Sequence, residues 1–84
     1  MPIMTMLERT LKMRLEREEC VSFVYRKTDG SVRAARGTRN LRFIPVHLHP
    51  KSPEDQMSPK VNYYDYENKA WRSFSIGSLI RIVD

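Results

Sequence analysis

The chain has 84 residues, 40% of them hydrophobic, which predicts one small domain spanning residues 1–84 with a single modest core. The sequence contains no run of roughly 20 apolar residues that could span a membrane and no recognisable secretory signal. Cys20 is its one cysteine, so an internal disulfide is excluded. We therefore expect a cytoplasmic protein, and its net charge of +5 favours anionic partners.

The positive excess is confined to residues 20–50. Residues 1–19 carry four basic and four acidic groups, and residues 51–84 carry five of each. The middle segment has six basic residues against Asp29 alone, and all but one of the six are arginine. The planar arginine fork matches phosphate and carboxylate. This composition indicates an anion-binding surface, with an ordinary solvated surface as the alternative.

The first predicted element is an amphipathic helix within residues 1–18. Thr5 and Glu8 have the spacing of a capping box. Three leucines follow at every fourth position: Leu7, Leu11 and Leu15. We expect about three turns ending near Arg17. The leucine stripe either packs on an open end or edge of the remaining fold or forms a homodimer contact.

A β-hairpin is predicted after the helix. The segment "CVSFVYRKT" alternates as a strand does, Asp29-Gly30 predicts a tight turn, and "SVRAAR" predicts the returning strand. Gly37 interrupts this second strand and predicts a bulge or a sharp bend. We expect a short third strand from Leu41 to Ile44.

The second half of the chain predicts a long loop at about residues 45–60 and then a second hairpin. The hairpin consists of "KVNYYDYE", the turn "ENKA" and "WRSFSI", and a turn at Gly77-Ser78 precedes a final strand, "GSLIRIV". One helix and about five short strands indicate a mainly β fold. Closure into a small barrel spanning residues 20–84 would remove exposed sheet edges.

These segments resemble the WYL-type domains, which belong to the Sm-like branch of SH3-type barrels. "VSFVYRKTDGSVRAARGTRNL" resembles the opening hairpin of that family, and "YYDYENKAWRSFSIGSLIRIV" resembles its closing half, including Arg72-x-Phe74. Residues 63–65 read Tyr-Tyr-Asp where the family has Trp-Tyr-Leu. Ser78 stands where the family usually has a basic residue just before the last strand. The resemblance implies a five-stranded Sm-like barrel, as in a group of short stand-alone relatives of largely unassigned function.

The resemblance also implies a ligand-binding role. Longer WYL proteins join the barrel to a DNA-binding helix-turn-helix and use it to sense nucleotides or nucleic acid. We expect no such module here, because only about fifteen residues precede the predicted barrel.

The strongest candidate binding feature is an arginine at every third position. We call this set the arginine comb: Arg33, Arg36, Arg39 and Arg42. Consecutive members would point to opposite faces of a strand, one of them the core, which disfavours unpaired guanidinium groups. A bulge at Gly37 would bring Arg36 and Arg39 to one side, while Arg33 or Arg36 leans over the barrel rim. The comb predicts phosphate contacts along one edge, or else a solvated strand face.

Aromatic residues and one further arginine extend the candidate site. Tyr64 and Tyr66 share a strand face and would stack on bases, and Arg72 would anchor another phosphate. The alternative is that the tyrosine rings are buried with their hydroxyl groups at the surface. Trp71 and Phe74 are expected to contribute packing.

Metal binding is not expected. His47 and His49 would point the same way on an extended segment, but zinc takes at least three protein ligands and no third candidate is near in sequence. Solvent-exposed loop histidines are the simpler interpretation.

Catalysis is not expected either. Asp65 and Glu67 share a strand face like a catalytic pair, but Arg72 or Lys69 across the hairpin would pair with them. Cys20 has no histidine near it in sequence.

The sequence therefore predicts a non-catalytic binding module without a cofactor. Its ligand would be anionic, with single-stranded nucleic acid or a nucleotide the favoured choice. The alternative is a protein-interaction or homo-oligomeric assembly module with no nucleic-acid role.

Overall fold

Five antiparallel β-strands and one N-terminal helix make up the structure, a computed structural model that describes residues 4–50 and 58–83. In chain order the elements are α1 (Met6–Arg17), β1 (Val21–Arg26), β2 (Val32–Thr38), two 3-10 helices (Leu41–Phe43 and Val46–Leu48), β3 (Lys60–Asp65), β4 (Ala70–Ser75), a third 3-10 helix (Ile76–Ser78) and β5 (Leu79–Val83). The strand order is β4-β3-β2-β1-β5. The mainly β fold with a preceding helix is confirmed.

The helix begins and ends as its sequence predicts. The Glu8 amide donates to the Thr5 hydroxyl at 3.1 Å, and the Thr5 amide donates to the Glu8 carboxylate at 3.0 Å, which completes the capping box. Leu11 and Leu15 are fully buried in the same core as the strands. Two of the three leucines therefore pack on the sheet, and Leu7 remains 40% exposed.

The first hairpin pairs without interruption. Its register runs from Val21 opposite Gly37 to Arg26 opposite Val32. Gly30 has a φ of 90°, in the left-handed region that glycine enters at little cost. The Asp29 carboxylate accepts from the Ser31 amide and hydroxyl, so the turn is closed by its own residues.

The predicted bulge at Gly37 is wrong. β2 keeps an unbroken register with β1 up to Gly37, the last pair of that ladder, and pairs with β3 at Gly37 and Thr38. The register shift within the sheet lies between β1 and β5, at Val24 and Tyr25. Glycine is required at position 37 for a different reason, because a Cβ there would lie 2.5 Å from the ring of Tyr63. The residue marks a close approach between strands.

The predicted strand from Leu41 to Ile44 is also wrong. The Asn40 side chain accepts from the Arg42 amide at 3.1 Å and starts a 3-10 turn over Leu41–Phe43. Within this segment only Ile44 is buried. A local side-chain cap therefore prevails over the apolar character of the segment. Residues 51–57 of the predicted long loop lie outside the described residues.

The second hairpin and the final strand form where predicted. β3 and β4 pair from Lys60 opposite Ser75 to Asp65 opposite Ala70. The turn between them spans residues 66–69, and Lys69 adopts a φ of 52°. A 3-10 turn containing Gly77 and Ser78 leads into β5, which pairs with β1.

The core is built around aromatic rings from β1, β3 and β4, with Leu79 and Ile82 of β5 packed against them. Tyr25 of β1 stacks on Phe74 of β4 with ring centroids 4.2 Å apart, and Phe23 meets Tyr63 edge-on at 5.1 Å. Because strands at opposite ends of the sheet share one core, the sheet curls around it. In the described ranges, no helix has the length and apolar character to cross a membrane.

Candidate anion-binding groove

A groove of about 190 Å³ lies between the turn end of the first hairpin and β4. Four basic residues line it: Arg26, Lys27, Arg33 and Arg72. Four hydroxyl-bearing residues join them: Thr28, Ser73, Ser75 and Ser78. Tyr25 and Phe74 contribute the aromatic part of the wall, and none of the lining residues is acidic. We refer to this feature as the basic groove.

Strand pairing brings Arg33 and Arg72 to the groove. Arg33 lies directly opposite Tyr25 in the first hairpin, and Arg72 lies directly opposite Tyr63 in the second. Residues directly opposite each other project from the same face of a sheet. Both tyrosines are buried on the core face, so the two half-buried arginines lie at the rim of that face.

Arg72 already has one carboxylate partner. Its Nε donates to Asp65 at 2.7 Å, which is the cross-hairpin pairing that the sequence predicts for this carboxylate. Burial acts to raise the pKa of Asp65, but hydrogen bonds from Asn68, the Glu67 amide and Arg72 outweigh it and lower the pKa below its ordinary value. Asp65 is therefore a structural carboxylate that holds Arg72 in position.

The arginine comb does not converge on one surface. Arg33 enters the basic groove. Arg36 is exposed on the opposite face of β2, because Ala35 and Gly37 on either side of it are buried. Arg42 is exposed on the 3-10 helix Leu41–Phe43.

Arg39 has a structural position between the helix and the sheet. Its Nη1 donates to the Asn62 carbonyl oxygen at 2.8 Å, and its Nε lies 3.3 Å from a carboxylate oxygen of Glu16. Its backbone amide donates to the Leu15 carbonyl oxygen at 2.7 Å, and its Cζ lies 5.8 Å from the ring centroid of Trp71. The bulge at Gly37 that was predicted to bring Arg36 and Arg39 to one side does not form.

The two candidate stacking tyrosines lie together, Tyr64 on the face of β3 opposite the main core and Tyr66 in the turn that follows β3. Their rings meet edge-on with centroids 5.7 Å apart. Tyr64 is 5% exposed and also packs against Trp71. This burial disfavours the stacking role predicted for Tyr64, which stays a prediction. Tyr66 is half-buried, and its hydroxyl donates to the Glu19 carbonyl oxygen.

Sequence reasoning missed half of the basic groove. Arg26 and Lys27 were counted only in the net charge of residues 20–50, and the hydroxyl-bearing residues were not predicted as ligand contacts. The sequence signal that could have identified Arg26 and Lys27 is the hairpin register, because a turn at Asp29-Gly30 puts Arg33 opposite the end of β1. The contribution of β4 depends on how the sheet curls, for which the sequence offers no comparable signal.

The two histidines do not form part of a metal site in the described residues. The Nε2 of His49 lies 2.8 Å from the Ile44 carbonyl oxygen and is hydrogen-bonded to it. No group of three or more His, Cys, Asp or Glu residues comes together within residues 4–50 and 58–83.

Comparison with known proteins places these features in a family context. A family described as "WYL_2, Sm-like SH3 beta-barrel fold" matches residues 9–80. An uncharacterised 11.5 kDa protein of Enterobacteria phage T4 is 36% identical over 62 residues, which cover 70% of this chain and 61% of the phage protein. The chain thus spans less than two thirds of that relative's length. No solved structure matches the chain.

Proposed function

This chain belongs to the WYL_2 family of Sm-like SH3 β-barrels, and we propose that it is a non-catalytic module whose basic groove binds a phosphate group of single-stranded nucleic acid. The observation that carries the proposal is the composition of the groove. Four basic side chains line it without an acidic one, three from the first hairpin and Arg72 from β4. We assign this role to the cytoplasm, since Cys20 is an exposed free thiol.

The charges and donors of the groove match a phosphodiester. Arg72 is neutralised in part by Asp65, whereas Arg33 forms no ion pair with a carboxylate among the described residues. Arginine forks and hydroxyl groups are the donors that proteins direct at phosphate oxygens. The site therefore has excess positive charge where an anionic ligand would contact it.

The size of the groove favours a strand of nucleic acid over a free nucleotide. Pockets that enclose small molecules have volumes of about 300–1,000 Å³, and the groove has about 190 Å³. That volume suits one phosphate group and part of its sugar, with the rest of the ligand outside. We therefore expect binding through the backbone with little dependence on base sequence.

Stacking contributes little to this form of binding. Tyr64 is buried, and Tyr66 is held edge-on against it by packing and by its hydrogen bond to Glu19. Neither tyrosine is among the residues that line the groove. Affinity should then be dominated by charge, and it should fall steeply with salt.

The test is the salt dependence of binding to a fluorescent single-stranded oligonucleotide of random sequence, measured by anisotropy. Each phosphate contact contributes a slope of roughly −0.7 to log K against log salt. Arg33→Gln should make the slope shallower by about 0.7 and weaken binding to all sequences alike. Arg36→Gln is the matched control, since it removes the same charge from the opposite face of β2.

Two results would contradict the proposal. Absence of binding at low salt would exclude a nucleic-acid role. Equal losses for Arg33→Gln and Arg36→Gln would mean that the oligonucleotide responds to net charge and not to the groove.

A protein-interaction or assembly module is the competing function. Burial of Leu11 and Leu15 in the core weighs against a dimer formed through the leucine stripe, and the edge strands β4 and β5 are the remaining candidates for assembly. Sedimentation of the wild type and of Ile80→Lys, which puts a charge at an exposed position of the edge strand β5, separates the two functions. A dimer that is lost in Ile80→Lys with unchanged oligonucleotide affinity would favour the competing function.

A further inference from the structure

The hydroxyl group of Tyr25, a residue that lines the basic groove, meets the hydroxyl group of the buried Tyr63. The hydroxyl oxygens of Tyr25 and Tyr63 are 3.0 Å apart, within hydrogen-bond distance. Tyr63 is fully buried, whereas Tyr25 is 4% exposed and lines the groove. The hydrogen bond therefore connects the interior of the barrel to the candidate site.

Counting protons gives this bond a direction. Each hydroxyl carries one proton, and the bond between the two oxygens uses only one of them. Neither hydroxyl makes a further hydrogen bond in the described part of the chain. If Tyr63 were the acceptor, its own proton would be buried without a partner, which is costly. Donation from Tyr63 to Tyr25 is favoured, and it leaves the Tyr25 proton free to enter the groove.

The ionisation of Tyr63 agrees with this direction. Burial, followed by the hydrogen bond with Tyr25, raises the pKa of Tyr63 far above its ordinary value. Tyr63 therefore keeps its proton at every physiological pH and remains a hydrogen-bond donor.

Each tyrosine of the pair also lies opposite one arginine of the groove. Tyr25 faces Arg33 across the first hairpin, and Tyr63 faces Arg72 across the second. Directly opposed residues have Cβ atoms about 4.5–5.5 Å apart. Arg33, Arg72 and Tyr25 thus line the same groove, a set of donors suited to an anion with several acceptor oxygens.

We propose that the Tyr25 hydroxyl donates a hydrogen bond to a phosphate oxygen in the basic groove and that Tyr63 orients it by donating to Tyr25. This inference rests on the proposed function, because it assigns a further contact within the same groove. Tyr25 is the ligand-contacting residue and Tyr63 is a positioning residue. Together they add a directional contact to a site otherwise defined by charge.

The test compares Tyr25→Phe with the wild type in calorimetric titrations with inorganic phosphate and with the single-stranded oligonucleotide. Loss of one hydrogen bond to an ionised group should weaken binding about tenfold. A loss toward both probes supports the proposal for nucleic acid, and a loss toward inorganic phosphate alone supports it with free phosphate as the ligand. Unchanged affinity for both probes would overturn it.

The role of Tyr63 is tested by a double-mutant cycle. Tyr63→Phe should weaken phosphate binding in the wild type and have no effect when added to Tyr25→Phe, because Tyr63 acts only through Tyr25. An equal effect in both backgrounds would contradict a positioning role. If Tyr63→Phe does not fold, replacement of Tyr63 by 3-fluorotyrosine decides. The more acidic phenol donates more strongly to Tyr25, which polarises the Tyr25 hydroxyl and should tighten phosphate binding at neutral pH, and weaker or unchanged binding would overturn the positioning role.

Failure of this inference can be distinguished from failure of the proposed function. If Arg33→Gln weakens binding while Tyr25→Phe does not, the tyrosine contact is wrong and the groove remains a phosphate site. If the wild type binds neither probe, both are wrong. Arg81→Gln, an exposed position of β5 that does not line the groove, is the charge-matched control and should retain wild-type affinity.

Discussion

Gly37 lies so close to the ring of Tyr63 that no side chain fits between them. A Cβ at position 37 would be 2.5 Å from Cδ2 of Tyr63 and 2.6 Å from the carbonyl oxygen of Tyr64. The ring is fully buried and the carbonyl belongs to the paired backbone of β3, so neither can give way easily. We expect Gly37→Ala to lower the free energy of unfolding by about 2 kcal/mol, measured by urea denaturation.

Gly77→Ala is the matched control for this prediction. A Cβ at position 77 would meet nothing within 4 Å, and Gly77 does not have a positive φ. Its free energy of unfolding should change by no more than about 0.5 kcal/mol. Similar losses at both positions would mean that glycine content, and not the approach to Tyr63, determines the cost.

Arg39 is predicted to be the structural member of the arginine comb. Arg39→Gln would remove the donors to Asn62 and Glu16 and the cation over Trp71. We expect the free energy of unfolding to fall by about 2 kcal/mol, since a hydrogen bond to or from a charged group contributes about 1.5–3 kcal/mol. Unfolding followed by Trp71 fluorescence measures this loss.

The control for Arg39 is Arg42→Gln. This side chain is exposed on a 3-10 helix, and its replacement should change stability by no more than about 0.5 kcal/mol. A loss of oligonucleotide affinity in Arg39→Gln that exceeds the loss in Arg33→Gln would contradict the division of the comb into structural and binding members.

Asp65 is expected to make stability dependent on acid pH. Its pKa is lower in the folded chain than in the unfolded chain, so its contribution is complete above the unfolded value and is lost as the pH falls through the folded value. Asp65→Asn should lower stability by about 2 kcal/mol at neutral pH. Urea denaturation from neutral pH to acid pH should show this difference shrinking, and a constant difference would contradict the assignment.

The capping box should contribute measurably to the stability of α1. Thr5→Ala removes the acceptor of the Glu8 amide, and we expect the free energy of unfolding to fall by about 1 kcal/mol. Thr10→Ala, within the same helix, should have no such effect, since alanine is a good helix former. Thermal unfolding followed by far-ultraviolet circular dichroism compares the two variants, and equal losses would exclude a specific effect of the cap.

The sequence by itself determined the elements whose cause is local. The capping box needs only the spacing of Thr5 and Glu8, and the first hairpin needs only strand alternation on either side of Asp29-Gly30. One local feature was misjudged, since the Asn40 side chain turns the chain where a third strand was predicted. The resemblance to the Sm-like barrels rested on these local patterns, and the family match confirms it.

Only the tertiary structure decided what the basic residues do. The sequence confines the positive excess to residues 20–50, but the unbroken register of β2 with β1 puts Arg33 and Arg36 on opposite faces. Arg33 then lines the same groove as Arg72, which lies 39 positions away in the chain and reaches the groove because the sheet curls around one core. Composition determines how much charge a segment carries. Contacts between distant residues determine on which face that charge lies and which carboxylate neutralises it, and no period along the chain encodes those contacts.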